Sequence, residues 1–271
     1  MSRYPLEGRT AVVTGAGSGI GAALASILVR KGCRVALIDR HADRLQETAR
    51  TINGDAISLH AHDLTDDHAP ETLLSAVLAA HGRADILVNN AGVALEGRFE
   101  QIAEADYDWV MDVNFRAVVR MTRAFLPTLR RSDDAMLVNV SSIFGIIAPP
   151  GQTAYSASKF AVRGFSMALA HELAGTNVHV VVVHPGGVAT RIAHDARVSS
   201  TLTDAERDAR IAAAAKMLTR APDAAARTIV AGMQARRRRI FVGSDAAVAQ
   251  RLERLLPTRY FDVVRRLVGE L

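Results

Sequence analysis

The stretch RTAVVTGAGSGIGAALASILVRK, residues 9–31, decides how this chain folds. Residues 9–14 form an apolar, β-branched run without polar alternation, the pattern of a strand buried on both faces. From Gly19 the spacing changes: Ile20, Leu24, Ile27 and Leu28 fall on one face of a helix reaching Lys31. Between them lies TGAGSGIG, residues 14–21. Glycines there permit a tight turn and a close backbone approach, and the following helix offers free N–H groups and the positive end of its dipole. A strand, a glycine turn and a helix N-terminus in that order make a cradle for a pyrophosphate, with Gly15, Ser18, Gly19, Ile20 and Gly21 as its candidate residues.

The same alternation continues outward. Strands are expected at 34–38, 56–61, 86–88, 136–140, 178–183 and 239–242, with helices at 43–52, 69–81, 104–131, 155–174 and 223–234 between them. Strand then helix, repeated, predicts an α/β fold: a Rossmann-type, doubly wound, seven-stranded parallel sheet with helices on both faces. No linker composition and no internal repeat interrupts the 271 residues, so one domain, 1–271, is expected. Apolar residues make up 49% but aromatics only 5%, which suits tightly packed Val- and Ala-rich layers. A single cysteine, Cys33, excludes an internal disulfide. It opens an apolar run and reads as a buried structural thiol in a reducing, cytoplasmic setting. The first nine residues carry no apolar signal-peptide core, and no apolar run reaches the about 18 residues of a membrane span. The net charge of +5 is modest and partly local to residues 236–239 and the C-terminus.

Asp39 closes the second strand, where a carboxylate accepts hydrogen bonds from the adenosine ribose hydroxyls and repels a 2′-phosphate. Position 18 is Ser rather than a base. Both features favour NAD over NADP, although Arg40 beside Asp39 can pair with a phosphate. Asp63 and Leu64 follow the third strand, and the carboxylate there is placed to accept from the adenine amino group.

Four further pieces sit at element ends: Asn89-Asn90-Ala91-Gly92, Asn114 within the long helix, Ser141-Ser142, and Tyr155-Ser156-Ala157-Ser158-Lys159. Tyr155 and Lys159 lie one helical turn apart and share a face. A phenol of pKa about 10 is a poor base at neutral pH, but a neighbouring ammonium favours the phenolate. Tyr155 then serves as general base for alcohol oxidation and general acid for carbonyl reduction.

Together with the glycine cradle, these pieces resemble the short-chain dehydrogenase/reductase family, over about residues 9–190. The resemblance implies that Ser142 holds the substrate oxygen beside the phenol of Tyr155. It implies that Lys159 also binds the nicotinamide ribose, that Asn114 holds a water in a proton relay through Lys159, and that Asn90, Ala91 and Gly92 line the cofactor cleft. It further implies a homotetramer or homodimer, with the helices around Asn114 and Tyr155 at an interface.

After the sixth strand, His184-Pro185-Gly186-Gly187-Val188-Ala189-Thr190 brings a Pro-Gly turn to the nicotinamide. Pro185, Gly186, Val188 and Thr190 are its candidate contacts, while His184 reads as structural. Substrate walls are expected at 93–95, 144–150 and 191–220. Phe144, Ile146, Ile147, Ala148, Pro149 and Pro150 make an apolar wall suited to a hydrophobic secondary alcohol or ketone. The polar segment 190–220 suits a lid. The nine histidines show no zinc-ligand spacing. The arginines at 236–239 lack the aromatic partners of a nucleic-acid surface and read as a solvated stretch. The basic amphipathic tail 247–271 is expected to pack on a neighbouring subunit, with an anionic membrane surface as the lesser option. The function expected is NAD-dependent alcohol/ketone interconversion. An NADPH-dependent biosynthetic ketoreductase and a non-catalytic dinucleotide-binding sensor are the alternatives.

Overall fold

The computed structural model of the chain describes residues 3–52, 56–198, 212 and 217–268. Its main sheet is wholly parallel and contains β1 (Thr10–Thr14), β2 (Arg34–Asp39), β3 (Ile57–Ala61), β4 (Ile86–Asn89), β6 (Ala135–Val140), β7 (Val178–Pro185) and β9 (Arg239–Val242). The spatial order is β3-β2-β1-β4-β6-β7-β9. From β1 the chain builds outward first on one side and then on the other, so the order reverses between β1 and β4. Parallel α/β sheets bind ligands at the carboxyl ends beside such a reversal.

Alternate strand residues face opposite layers, as the pleat requires. Val13 packs with Leu24 and Leu28 of α1 (Gly19–Arg30) and with Ile229 and Met233 of α7 (Pro222–Gln234). Val12 faces the other way, to Leu73 of α3 (Ala69–His81), Phe125 of α5 (Ala117–Arg131) and Leu169 of α6 (Thr153–Glu172). The seven expected strands and the doubly wound layers are therefore present. Cys33 is buried, donates its thiol to the Leu6 carbonyl at 3.0 Å, and is pushed up to about 12 by burial.

The structure departs from the sequence reading in three places. The helix expected over 104–131 is broken into α4 (Glu104–Met111) and α5 by a π turn at Asp112–Arg116. A π turn is set by which carbonyl each amide reaches, i→i+5 in place of i→i+4, and residue spacing alone does not show that choice. Second, the two-residue strands β5 (Leu95–Glu96) and β8 (Arg197–Val198) pair outside the main sheet and are too short to show alternation. Third, the four arginines are not uniformly solvated. Arg236 adopts a left-handed φ of 52°, bonds Asp134 and lies 5.2 Å over the Tyr4 ring, while Arg239 stacks at 5.2 Å on Phe241. Only Arg237 and Arg238 are exposed.

The described part of the tail packs in part against its own chain. Ala249 of α8 (Ser244–Leu255) packs with Ile146 and Ile147, and Tyr260 of α9 (Tyr260–Val268) joins the same cluster. Among the described residues no helix is long and apolar enough to cross a membrane.

Candidate active site

A cleft of about 990 Å³ opens over the carboxyl ends of the central strands. Of the residues singled out from the sequence, it gathers Gly15, Ser18, Gly19, Ile20, Asp39 and Arg40 from β1, α1 and β2. Asp63, Leu64, Asn90, Ala91 and Gly92 come from the ends of β3 and β4, and Ser142, Tyr155 and Lys159 from beyond β6. Pro185, Gly186, Val188 and Thr190 close the far side. Gly21 and Asn114 lie behind this wall rather than in it.

The cradle is held by backbone geometry. Thr14 Oγ1 accepts from the Asn90 and Ala91 amides, both at 3.0 Å, and Asn90 Nδ2 donates to the Thr14 carbonyl at 2.9 Å. Gly15 and Gly19 have φ of 64° and 56°, a region glycine adopts without a Cβ penalty. A Cβ on Gly21 would collide with the Gly15 carbonyl, so this glycine brings α1 against the loop instead of touching a ligand. No side chain caps α1 at Ser18, and its first turn holds no acidic residue. The amides at that helix end are therefore free of a carboxylate competitor for an anion. Asp39 Oδ2 accepts from the Gly17 amide and Oδ1 from the His41 amide, each at 3.0 Å. Each oxygen keeps a lone pair for a ribose hydroxyl. Asp63 Oδ1 is instead engaged by Thr65, through its amide at 2.9 Å and its hydroxyl at 2.8 Å.

Tyr155 and Lys159 stand on one face of α6, with the Lys159 Nζ 5.6 Å from the phenol ring centre. Lys159 is buried and donates to the Val140 carbonyl at 3.2 Å. Burial brings it down to about 8. Burial raises Tyr155 above the usual tyrosine value, and the Ser142 hydroxyl pulls in the opposite direction. Desolvation disfavours the charged form of both groups. The Ser142 hydroxyl accepts from the Phe144 amide at 3.1 Å, and the Phe144 ring meets Tyr155 edge-on at 6.1 Å.

Asn114 is fully buried in the π turn. Its Oδ1 accepts from the Val93 amide at 2.8 Å, and its Nδ2 donates to the Val93 carbonyl and Ser158 Oγ, both at 3.0 Å. A Cβ on Gly92 would lie 3.2 Å from both Asn114 Oδ1 and Lys159 Nζ, so the three crowd one point. His184 is buried, pairs through Nδ1 with the Ser142 carbonyl at 3.0 Å, and stacks on Phe241. Burial takes it down to about 4, a neutral ring that supports the Ser142 backbone.

On the substrate side, Val93, Ala94, Phe144, Ile147, Pro149 and Pro150 line the cleft as expected. Leu95 and Ile146 do not, being buried beneath it, and Ala148 faces a neighbouring groove. Of the expected lid, residues 191–198 and 217–220 are described, and positions 199–216 except Ala212 lie outside the described residues. Sequence reasoning missed four contributors. Asp245 accepts from the Gly187 amide at 2.7 Å, and a Cβ on Gly186 would collide with its carboxylate. Arg44 pairs with Asp195 at 2.8 Å at the mouth. Tyr260 and Phe261, from the tail, complete the wall. Asp245 lies two residues past Gly243 at the end of β9, in the first turn of α8, a recognisable helix-start signal, whereas nothing local marks the other three.

A family model described as short chain dehydrogenase matches residues 9–200. The chain is 40% identical over 260 residues to a putative oxidoreductase, SadH, of Mycobacterium tuberculosis, covering 94% of this chain and 93% of that one. Its fold is similar to a short-chain dehydrogenase/reductase from Burkholderia phymatum solved in complex with NAD, with a TM-score of 0.86, 28% identity, and coverage of 97% and 96%. It is also similar to a 3-ketoacyl-(acyl-carrier-protein) reductase from Brucella melitensis complexed with NADH, with a TM-score of 0.76, 28% identity, and coverage of 89% and 99%.

Proposed function

The chain belongs to the short-chain dehydrogenase/reductase family of oxidoreductases, and from that premise we propose that it interconverts a hydrophobic secondary alcohol and its ketone with NAD. The observation that carries this reading is the convergence of Ser142, Tyr155 and Lys159 on one cleft wall beside an uncapped helix end. A nicotinamide dinucleotide, when bound, accepts hydride from the carbinol carbon or delivers it to the carbonyl carbon.

The chain's own residues supply the rest. The Ser142 hydroxyl holds the substrate oxygen, and Tyr155 takes its proton in oxidation or gives one in reduction. Because burial raises Tyr155, the phenol is protonated at neutral pH and is ready as an acid, while its action as a base calls for alkaline conditions. Lys159 has donors to spare beyond Val140 and holds the nicotinamide ribose, its charge favouring the phenolate. The side chain of Asn114 is consumed by Val93 and Ser158, which leaves its main chain to hold the relay water near Lys159. Gly15, Ser18, Gly19 and Ile20 receive the pyrophosphate, with Gly21 supporting them. Asp63 and Leu64 flank the adenine, and Asn90, Ala91 and Gly92 floor the cleft. Pro185, Gly186, Val188 and Thr190 take the carboxamide side.

Asp39 supports NAD, since a carboxylate at this strand end would accept from the adenosine ribose hydroxyls and repel a 2′-phosphate. The two similar structures solved with NAD and NADH support a nicotinamide dinucleotide in this cleft. Arg40 and Arg44 on the same rim favour a second reading, an NADPH-dependent ketoreductase. We place the enzyme in the cytoplasm as a homotetramer or homodimer, a compartment that suits the lone reduced Cys33 thiol. The test is steady-state NADH formation with a panel of secondary alcohols, beside fluorescence titrations of NADH and NADPH. Turnover with NAD and tighter NADH binding are expected. Preference for NADPH moves the assignment to the ketoreductase, and no turnover with any alcohol or ketone removes it.

A further inference from the structure

We infer that Asp245 is a positioning residue, whose carboxylate fixes the turn at Gly186 and Gly187 so that the main chain of Val188 is presented to the nicotinamide. This rests on the dinucleotide reading above and gives a role to a residue far in sequence from the glycine cradle. Of the four amides from Gly186 to Ala189, three are held within the protein. The Gly186 amide donates to the Val242 carbonyl at 2.9 Å, the Gly187 amide to Asp245 Oδ2 at 2.7 Å, and the Ala189 amide to the Arg220 carbonyl at 2.8 Å. The Val188 amide has no partner among the described residues, and neither has its carbonyl.

Val188 stands opposite Arg220 in a single parallel bridge. The groups flanking Val188 make its bonds: the Arg220 amide donates to the Gly187 carbonyl at 3.1 Å, and the Arg220 carbonyl accepts from Ala189. In a parallel bridge the residue between those two groups turns its own N–H and C=O the other way. Val188 also lines the cleft. A carboxamide carries an NH₂ donor and a carbonyl acceptor, which match one free carbonyl and one free amide. How that pair is presented depends on how Gly187, the residue before it, is held.

An aspartate in the first turn of a helix ordinarily serves its own helix end. Asp245 stands in the first turn of α8, yet it accepts across the chain from Gly187, 58 positions earlier. Glycines make room for this contact. A Cβ on Gly186 would collide with the Asp245 carboxylate, and so would one on Gly243. On the other side, a Cβ on Gly187 would collide with the Met217 carbonyl. Main-chain bonds hold the two ends of the turn, at Gly186 and Ala189, and the carboxylate holds its middle. Without it the Gly187 amide is free to rotate, and Val188 must be ordered anew each time a nicotinamide is bound.

The test is calorimetric titration with NADH and with ADP-ribose, which lacks the nicotinamide; NADPH and 2′-phospho-ADP-ribose replace them if that cofactor is preferred. Asp245→Ala should weaken NADH about 5- to 30-fold, the cost of re-ordering one residue of main chain, and leave ADP-ribose within about twofold. Asp245→Asn keeps an acceptor oxygen and should restore NADH binding to within about threefold of wild type. Gly186→Ala drives a methyl into the carboxylate, should cause the same selective loss, and serves if Asp245→Ala does not fold. Added to Asp245→Ala, it should cost less than it does alone, because the two act on one contact. Equal weakening of both ligands makes Asp245 a general support of the fold and overturns the inference, as does no change in either. Loss in Asp245→Asn as large as in Asp245→Ala also overturns it, by assigning the effect to charge. A wild type that binds neither NADH nor NADPH fails the functional reading itself. The selective loss of NADH without turnover of any alcohol or ketone fails only the substrate assignment and upholds the role of Asp245.

Discussion

The two halves of the cleft are built by different means. The cofactor half is walled by main chain: the Asn90 amide is held by the Thr14 hydroxyl, the Gly186 amide by the Val242 carbonyl, and the Gly187 amide by the Asp245 carboxylate. The substrate half is made of side chains from separated segments, Phe144 and Ile147 after β6, Met217 and Leu218 before α7, and Tyr260 and Phe261 in α9. Where main chain forms a wall, only a few residue types fit and each leaves a local mark. Where apolar side chains form it, many residues fill the same space. Tyr155 stands on the border of the two halves.

Substitutions should separate the halves. Tyr155→Phe removes one hydroxyl and leaves the rest of both walls in place, so kcat/KM should fall about 10²- to 10⁴-fold, the range of general acid–base catalysis. Its NADH dissociation constant by fluorescence titration should stay within about twofold. Asp39→Ala should damage the cofactor half only. NADH should bind about 10- to 100-fold more weakly, from loss of charge-assisted bonds, and discrimination against NADPH should shrink. The alcohol KM at saturating cofactor should not move; if it does, the halves are coupled through the cradle.

A stability measurement sharpens the same contrast. Gly21→Ala forces a Cβ onto the Gly15 carbonyl and the Asn90 amide. Overpacking of this kind costs about 1–3 kcal/mol, read as a lower urea midpoint at unchanged m-value, and bound NADH should restore part of it. The smallest effect belongs to the substrate half. Tyr260→Phe removes one hydrogen bond to Ala148, worth about 1 kcal/mol. It should raise the alcohol KM by no more than about fivefold, the equivalent of that bond, with NADH binding untouched.

The same distinction explains what the sequence disclosed. The parallel sheet was legible because Val-rich runs and amphipathic helices alternate without interruption. The cradle and the Tyr155–Lys159 pair were legible because their residues are close in sequence and sit at element ends. The π turn at Asn114 was not, because its cause lies in bonds to Val93 and Ser158 from distant segments. Nor was the role of α9: Tyr260 reads as one apolar residue of an amphipathic tail, and only the folded chain brings it to Ala148. The arginines at 236–239 show the limit of composition, since Arg236 and Arg239 take separate partners that a charge count cannot distinguish. The raised Tyr155 was likewise invisible, because spacing shows which charge is near but not how dry the site is.

The most direct test of Tyr155 as the proton-transfer group is the pH dependence of kcat/KM measured in both directions. A phenol raised by burial is protonated through neutral pH and loses its proton only in alkali. Ketone reduction should therefore hold a plateau at neutral pH and fall as the solution becomes alkaline. Alcohol oxidation should rise about tenfold per pH unit over the same interval, with both limbs absent from Tyr155→Phe. Profiles that move in the same direction in both reactions, or an oxidation limb centred near about pH 6 in the histidine range, would contradict the account and assign the proton to another group.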